Sequence, residues 1–184
     1  YGPVDNGDTL QYASRASLTT YFIGFNTAAV PKPVRRAFAH AVNPGAIVEN
    51  VFKRRGRSAF HLTPPGIFPG GADDYEAHAE DGYPYGYNES RRERAREIMA
   101  EAGYGPDDPF ELTWTQYNNA SWREMGEVIR DQVTAAHIDM ETESVEFSTL
   151  TERGRAGDLE VYTFGWSADY PAPSNFLNQL NPPQ

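Results

Sequence analysis

Between Phe110 and Phe164 the chain switches repeatedly between two hydrophobic periods, and this switching limits its architecture more than any other feature of the sequence. Phe110–Tyr117 alternates as a strand does, with Phe110, Leu112 and Trp114 on one side. Ser121 then opens a long segment in which Trp122, Met125, Val128, Ile129 and Val133 recur at helical spacing. The pattern continues with Ile138–Phe147 as a strand, Thr149–Arg155 as a short helix and Leu159–Phe164 as a last strand. Strands that alternate with helices imply an α/β domain, a mixed or parallel sheet flanked by helices. Ligands of such sheets bind in the crevice beyond the carboxyl ends of the strands, which directs attention to the run after Phe164.

The N-terminal half fits the same plan. Thr20–Asn26 is short, aromatic and β-branched, and reads as a strand ending at Asn26. Pro31 and Pro33 open a helix over Val34–Ala41, and Asn43-Pro44 caps and starts a second one carrying Ile47, Val48, Val51 and Phe52. From Gly56 to Tyr87 the periodicity disappears into Pro64-Pro65-Gly66, Pro69-Gly70-Gly71 and Tyr83-Pro84-Tyr85-Gly86-Tyr87, so a long binding, lid or covering loop is expected. The three tyrosines at its end are expected to pack on the domain surface. Asn88 is then read as the cap of a helix through Ala102, with Ala95, Ile98, Met99 and Ala102 inward and Gly103 as its stop.

Charge narrows the partners. Among 184 residues, 26 are acidic and 16 basic, a formal net charge of -10, and the only lysines are Lys32 and Lys53. A nucleic-acid partner would need a cationic face, and the dense basic clusters, Arg35-Arg36 and Lys53-Arg54-Arg55, read as solvated helix faces. A surface rich in carboxylates and poor in lysine suits a protein kept soluble in high salt, as in a halophilic source. Cysteine is absent, which removes disulfide and thiolate chemistry. The first residues, YGPVDNGDTLQYAS, show neither the basic start nor the apolar stretch of a signal peptide.

Catalytic and cofactor chemistry find little support. Gly24 and Gly66 lack the companions of a phosphate-cradling loop, and His40, His61, His78 and His137 lack metal-ligand spacing, so no cofactor or metal is expected. Asp73-Asp74 with Glu76 and His78 reads as a solvated acidic loop. Ser167 stands near Asp169 without a nucleophile elbow or a neighbouring histidine, and Asp158 and Glu160 flank Leu159 as solvent-facing strand residues; an enzyme is not expected. Trp166-Ser167-Ala168-Asp169-Tyr170 is different. An acid between two aromatics at a strand end can pair with a cationic ligand group while the rings supply apolar contact.

Three stretches together resemble the oligopeptide- and dipeptide-type (family 5) extracellular solute-binding proteins of ABC transporters. FNTAAVPKPVRRAFAHAVNPGAIVENVFKRRG is similar to the segment in which a strand ending in Asn precedes two helices. ESRRERAREIMAEAGYG resembles their "A-(K/R)-x-L-L-x-E-A-G-Y" helix, with Ile98-Met99 in place of leucines. GWSADYPAPSNFLN resembles "G-W-x-A-D-Y-x-x-P-x-x-F-L" at Gly165, Trp166, Ala168, Asp169, Tyr170, Pro173, Phe176 and Leu177.

The resemblance implies one lobe of a two-lobed, type II periplasmic-binding-protein-like receptor, with residues 1–184 as a single domain from the C-terminal lobe of a larger chain. Such a receptor is extracytoplasmic and monomeric, closes over a peptide or related small solute, and delivers it to a membrane permease. It implies that Asp169 pairs with a ligand's α-amino group and that Trp166 lines a side-chain pocket. Gly165 would allow close backbone approach, and Ser167 and Ala168 would offer main-chain groups to an extended peptide. Thr163 stands where some oligopeptide binders carry an arginine for the ligand's carboxylate, so the handling of that end is open. A carbohydrate receptor of the same fold, with Trp166 and the tyrosines stacking and Asp169 on hydroxyls, is the alternative, and a glycosidase using Asp169 a remote one. An isolated lobe is expected to bind peptides feebly, because it holds half a cleft.

Overall fold

The computed structural model describes residues 17–180; the N-terminal run examined for a signal peptide lies outside them. Four strands, β1 (Thr19–Phe25), β2 (Phe110–Tyr117), β3 (Ile138–Val145) and β4 (Val161–Ser167), form one mixed sheet in the order β1-β4-β2-β3. β2 runs parallel to both β3 and β4, and β1 closes the edge antiparallel to β4. The expected α/β class is therefore present, with the sheet of the mixed kind.

The crossovers explain the layering. The chain passes from β2 to β3 through α5 (Ala120–Thr134), then back past β2 to β4 through α6 (Phe147–Ala156). A right-handed connection that reverses its direction must change faces, and α6 does lie across the sheet from α5. Its Arg153 Nη1 reaches Glu143 Oε2 at 2.6 Å, on the face of β3 opposite Ile138 and Met140.

The α5 face holds the main core. Leu112 and Trp114 of β2, Ile138 and Met140 of β3 and Val161 of β4 meet Met125, Ile129 and Val133 of α5, at the spacing read in the sequence. Beyond them lie α1 (Lys32–Ala41), α2 (Pro44–Asn50) and α4 (Arg92–Glu101), with Val34, Phe38, Ile47, Ile98 and Met99 inward. Trp114 is 0% exposed and Phe38 packs 6.2 Å from its ring. Asn43 does cap α2: its Oδ1 accepts from the Ala46 N–H at 3.0 Å, and its own N–H donates to Gln132 Oε1 of α5 at 2.9 Å.

Several expectations need correction. The span from Gly56 to Tyr87 is not structureless, since it contains a 3-10 turn (Pro65–Ile67) and α3 (Gly71–Gly82). Only Tyr75 and Ala79 of α3 are buried, so too few apolar positions recur to signal a helix. Gly70 sets its start with φ +82°, where a Cβ would strike the Asp74 carboxylate. Asp73 and Asp74 thereby sit in a helix's first turn, favourable for its dipole, instead of in a loop. Tyr83 and Tyr87 pack with Phe60, Phe68 and Tyr75 in a second cluster, as expected of a covering segment.

Asn88 does not cap α4; it has φ +49°, its Oδ1 accepts from Ser58 Oγ, and the helix begins four residues later at Arg92. Lys53 and Arg54 lie in a turn past α2, with φ 49° and 60°, not on a helix face. Among the described residues no helix is long and apolar enough to cross a membrane.

Candidate ligand-binding cleft

The site grows from a disagreement between two strands. β4 keeps β1 as partner along its whole length, from Phe25 opposite Val161 to Thr19 opposite Ser167, but keeps β2 only at Val161 and Tyr162. Past Tyr162 the parallel strands separate, and their carboxyl ends leave a gap between them. Hydrogen bonds flanking the β1–β4 ladder, Asn26 N–H to the Glu160 carbonyl and Ala168 N–H to the Leu18 carbonyl, both at 2.8 Å, set which groups face the gap. By antiparallel alternation the even residues of β4 spend their main-chain groups on β1, and those of Gly165 and Ser167 point the other way, toward the gap. This half of β4 is an edge in the interior of a sheet.

A cavity of about 310 Å³ occupies that gap. Its walls include Tyr21 from β1, Tyr117 at the end of β2, Trp122 in the first turn of α5, and Phe147 and Leu150 of α6. Tyr21 and Trp122 pair edge to face with centroids 5.1 Å apart, while Phe147 stacks on Phe164 at 5.8 Å and meets Tyr117 at 6.1 Å. Three of these rings are unusually open for their size: Tyr21 is 59%, Phe147 53% and Tyr117 37% exposed. Thr163 lies at the base, its Oγ1 buried and without a hydrogen-bond partner among the described residues. Gly165 is required by its neighbour, because a Cβ there would stand 2.5 Å from Tyr21 Cδ1.

The residues singled out in the sequence divide into two groups. Gly165, Trp166 and Ser167 belong to β4 itself, which runs three residues past the expected end at Phe164 because β1 continues to pair with it. Gly165 and Ser167 line the cavity, and Ser167 Oγ lies 2.9 Å from Thr19 Oγ1. Trp166 is not among the lining residues; its Nε1 donates to the buried Asn175 Oδ1 at 2.6 Å, which holds the indole against α7 instead. The Ala168 N–H is spent on Leu18, so among the described residues the main-chain groups left without a partner at this edge are those of Ser167, as expected, and of Gly165 in place of Ala168.

Asp169 and Tyr170 follow the strand end and are exposed, with the Tyr170 hydroxyl 3.5 Å from Ser174 Oγ. The chain is then pinned by α7 (Pro173–Leu177), whose Phe176 is 0% exposed while Leu177 is 50% exposed.

Glu160 departs from its expected solvent-facing role. Its Oε2 accepts the Thr113 N–H of β2 at 2.7 Å, tying β2 to the chain just before β4 where the strands are still together; Asp158 is exposed as expected.

Four aromatic wall residues escaped the sequence reading. By sequence Tyr21 reads as a mid-strand residue, Tyr117 and Phe147 as strand ends and Trp122 as a core position. The signal available was their place immediately after or at the carboxyl end of a strand, together with the opening residues of the following helix.

The family model described as "Bacterial extracellular solute-binding proteins, family 5 Middle" matches residues 2–184. The chain belongs to this family. It is 31% identical over 179 residues to heme-binding protein A of Haemophilus influenzae, covering 93% of this chain and 30% of the relative. It is 28% identical over 171 residues to the periplasmic oligopeptide-binding protein OppA of Escherichia coli, covering 89% of this chain and 30% of that protein. The solved structure of the Escherichia coli murein tripeptide binding protein MppA superimposes with a TM-score of 0.73 at 24% identity, over 90% of this chain and 32% of that one, a likeness of fold. The chain thus spans about 30% of the length of the curated relatives it matches, and those relatives are named as binding proteins.

Proposed function

We propose that the 184 residues form one lobe of a larger, extracytoplasmic ABC-importer receptor that captures a peptide or related small solute between two lobes and hands it to a membrane permease. The observation that carries this reading is the unpaired edge of β4. Gly165 and Ser167 present main-chain N–H and C=O groups beside an aromatic-walled gap, which suits an extended chain joining the sheet as an added strand. Asp169, exposed just past the end of that edge, is positioned by sequence to meet the positive amino end of such a ligand. A carboxylate paired with an ammonium gives a charge-assisted bond, stronger than a neutral one, and fixes the direction in which the peptide lies. Tyr170 then borders the same end, and Trp166 acts from behind by holding Asn175 and, through it, the turn that carries Asp169.

The test is calorimetric titration of the full-length receptor with short peptides, free and N-acetylated. Asp169→Ala is expected to weaken binding by about 2–5 kcal/mol, as for one partner removed from a desolvated charge pair, and acetylation should mimic it. Equal affinity of Asp169→Ala and the parent would remove Asp169 from the site. Absence of peptide binding in both would remove the peptide reading.

A further inference from the structure

We infer that the cavity between β2 and β4 reads one side chain of the ligand, and that it selects an uncharged aromatic one. This rests on the peptide reading above and specifies what that site prefers.

Two aromatic groups face each other across the gap: the Tyr21–Trp122 pair contributed by β1 and α5, and the Tyr117–Phe147–Phe164 group contributed by β2, α6 and β4. A planar side chain entering between them has rings within reach on both sides, and offset-stacked or edge-to-face contacts are the arrangements in which aromatic pairs attract. At about 310 Å³ the space is near the lower end of ligand pockets, sized for one bulky side chain and not for a whole peptide.

Charge is excluded by what surrounds the rings. Among the described residues, none of those lining the cavity is ionisable at neutral pH. On α6's side of the sheet, Glu143 is already held by Arg153 at 2.6 Å and by the Thr115 hydroxyl at 3.2 Å. Glu146, the residue before α6, accepts from Asn118 Nδ2 at 3.4 Å. Thr163 Oγ1, buried and without a partner among the described residues, is a neutral hydroxyl and supplies no counter-charge. An ammonium or carboxylate carried into this space would meet only neutral hydroxyl and main-chain groups and no opposite charge to offset its lost hydration.

Position along the ligand follows from the strand. Asp169 lies two residues past Ser167, the nearest lining residue of β4, and an extended chain advances about 3.3 Å per residue, so the selected side chain belongs to the second or third residue of the ligand.

The experiment uses the full-length receptor and two tripeptide series, Ala-X-Ala and Ala-Ala-X, with X as Phe, Tyr, Trp, Leu, Ala, Lys or Glu. At one of the two positions the aromatic peptides should bind about tenfold tighter than the Ala peptide, and Lys and Glu weaker than Ala. Phe147→Ala, an exposed site outside the main core, should reduce the aromatic advantage over the Ala peptide to within about threefold. Its folding is checked by an unaltered melting temperature. A flat profile at both positions, with binding that still depends on Asp169, would overturn this inference and leave the peptide reading standing. A preference for Lys or Glu would overturn it as well. No binding by any peptide would overturn both.

Discussion

Trp114 and Tyr117 lie three residues apart on one strand, yet they inhabit opposite kinds of environment. At Trp114, β2 has β3 on one side and Val161 of β4 on the other, α5 covers the face, and the indole is 0% exposed. At Tyr117 β4 has moved away and the ring is 37% exposed beside a cavity. The closed half of the sheet has satisfied its backbone and covered its apolar surface within the chain; the splayed half has done neither. The lesson is that stability and recognition are served by different ends of the same strands, so mutations at the two ends should separate.

The sharpest way to break that comparison is Trp114→Ala. Loss of a fully buried indole should destabilise the domain by about 3–5 kcal/mol, read as a lowered urea midpoint at unchanged slope. If the cost were below about 1 kcal/mol, the closed half would not be the stabilising one.

Gly165→Val comes next, on the open side. The added side chain must displace the Tyr21 ring from the cavity wall. Because Tyr21 is 59% exposed and can swing outward, the expected stability loss is about 1 kcal/mol, near the low end of overpacking costs, with a larger loss in peptide binding. Comparable losses in both would show that the splayed half also holds the fold together.

Asn43→Ala tests the closed half at its periphery, removing the α2 cap and leaving the Ala46 N–H unpaired, for about 1 kcal/mol by thermal melt and no change in ligand affinity.

The smallest effect is that of pH. Burial, and then the nearby Arg91, Arg94 and Arg36, hold His40 below its usual value of 6.5, so the folded state favours the neutral ring. Its contribution is complete above pH 6.5 and is lost as pH falls below that, through the folded value, because the unfolded chain takes up the proton first. His40→Leu should flatten the part of the stability profile just below that pH, measured by urea unfolding at a series of pH values.

The fold was legible where local chemistry and tertiary packing agree. β2 coincides with its sequence reading because its core face is hydrophobic at period two, and α5 because Met125, Ile129 and Val133 repeat at helical spacing. α3 was missed because its burial rests on Tyr75 and Ala79 alone, against a small aromatic cluster that only the folded chain assembles. Of the cavity lining, Gly165 and Ser167 lie in the stretch Gly165–Tyr170 that its composition singles out. The rings of Tyr21, Tyr117, Trp122 and Phe147 are not singled out, since they come from four separate elements and share no spacing along the chain.

By itself the sequence determined the α/β plan, the family and the strand end at which to look, because each is written in residues close together along the chain. Only the tertiary structure decided which groups at that end are free. Whether Gly165 or Ala168 offers its N–H depends on the register with β1, and the cavity itself exists because β4 follows β1 after leaving β2. Those are choices among long-range partners, and residues more than a hundred positions apart made them.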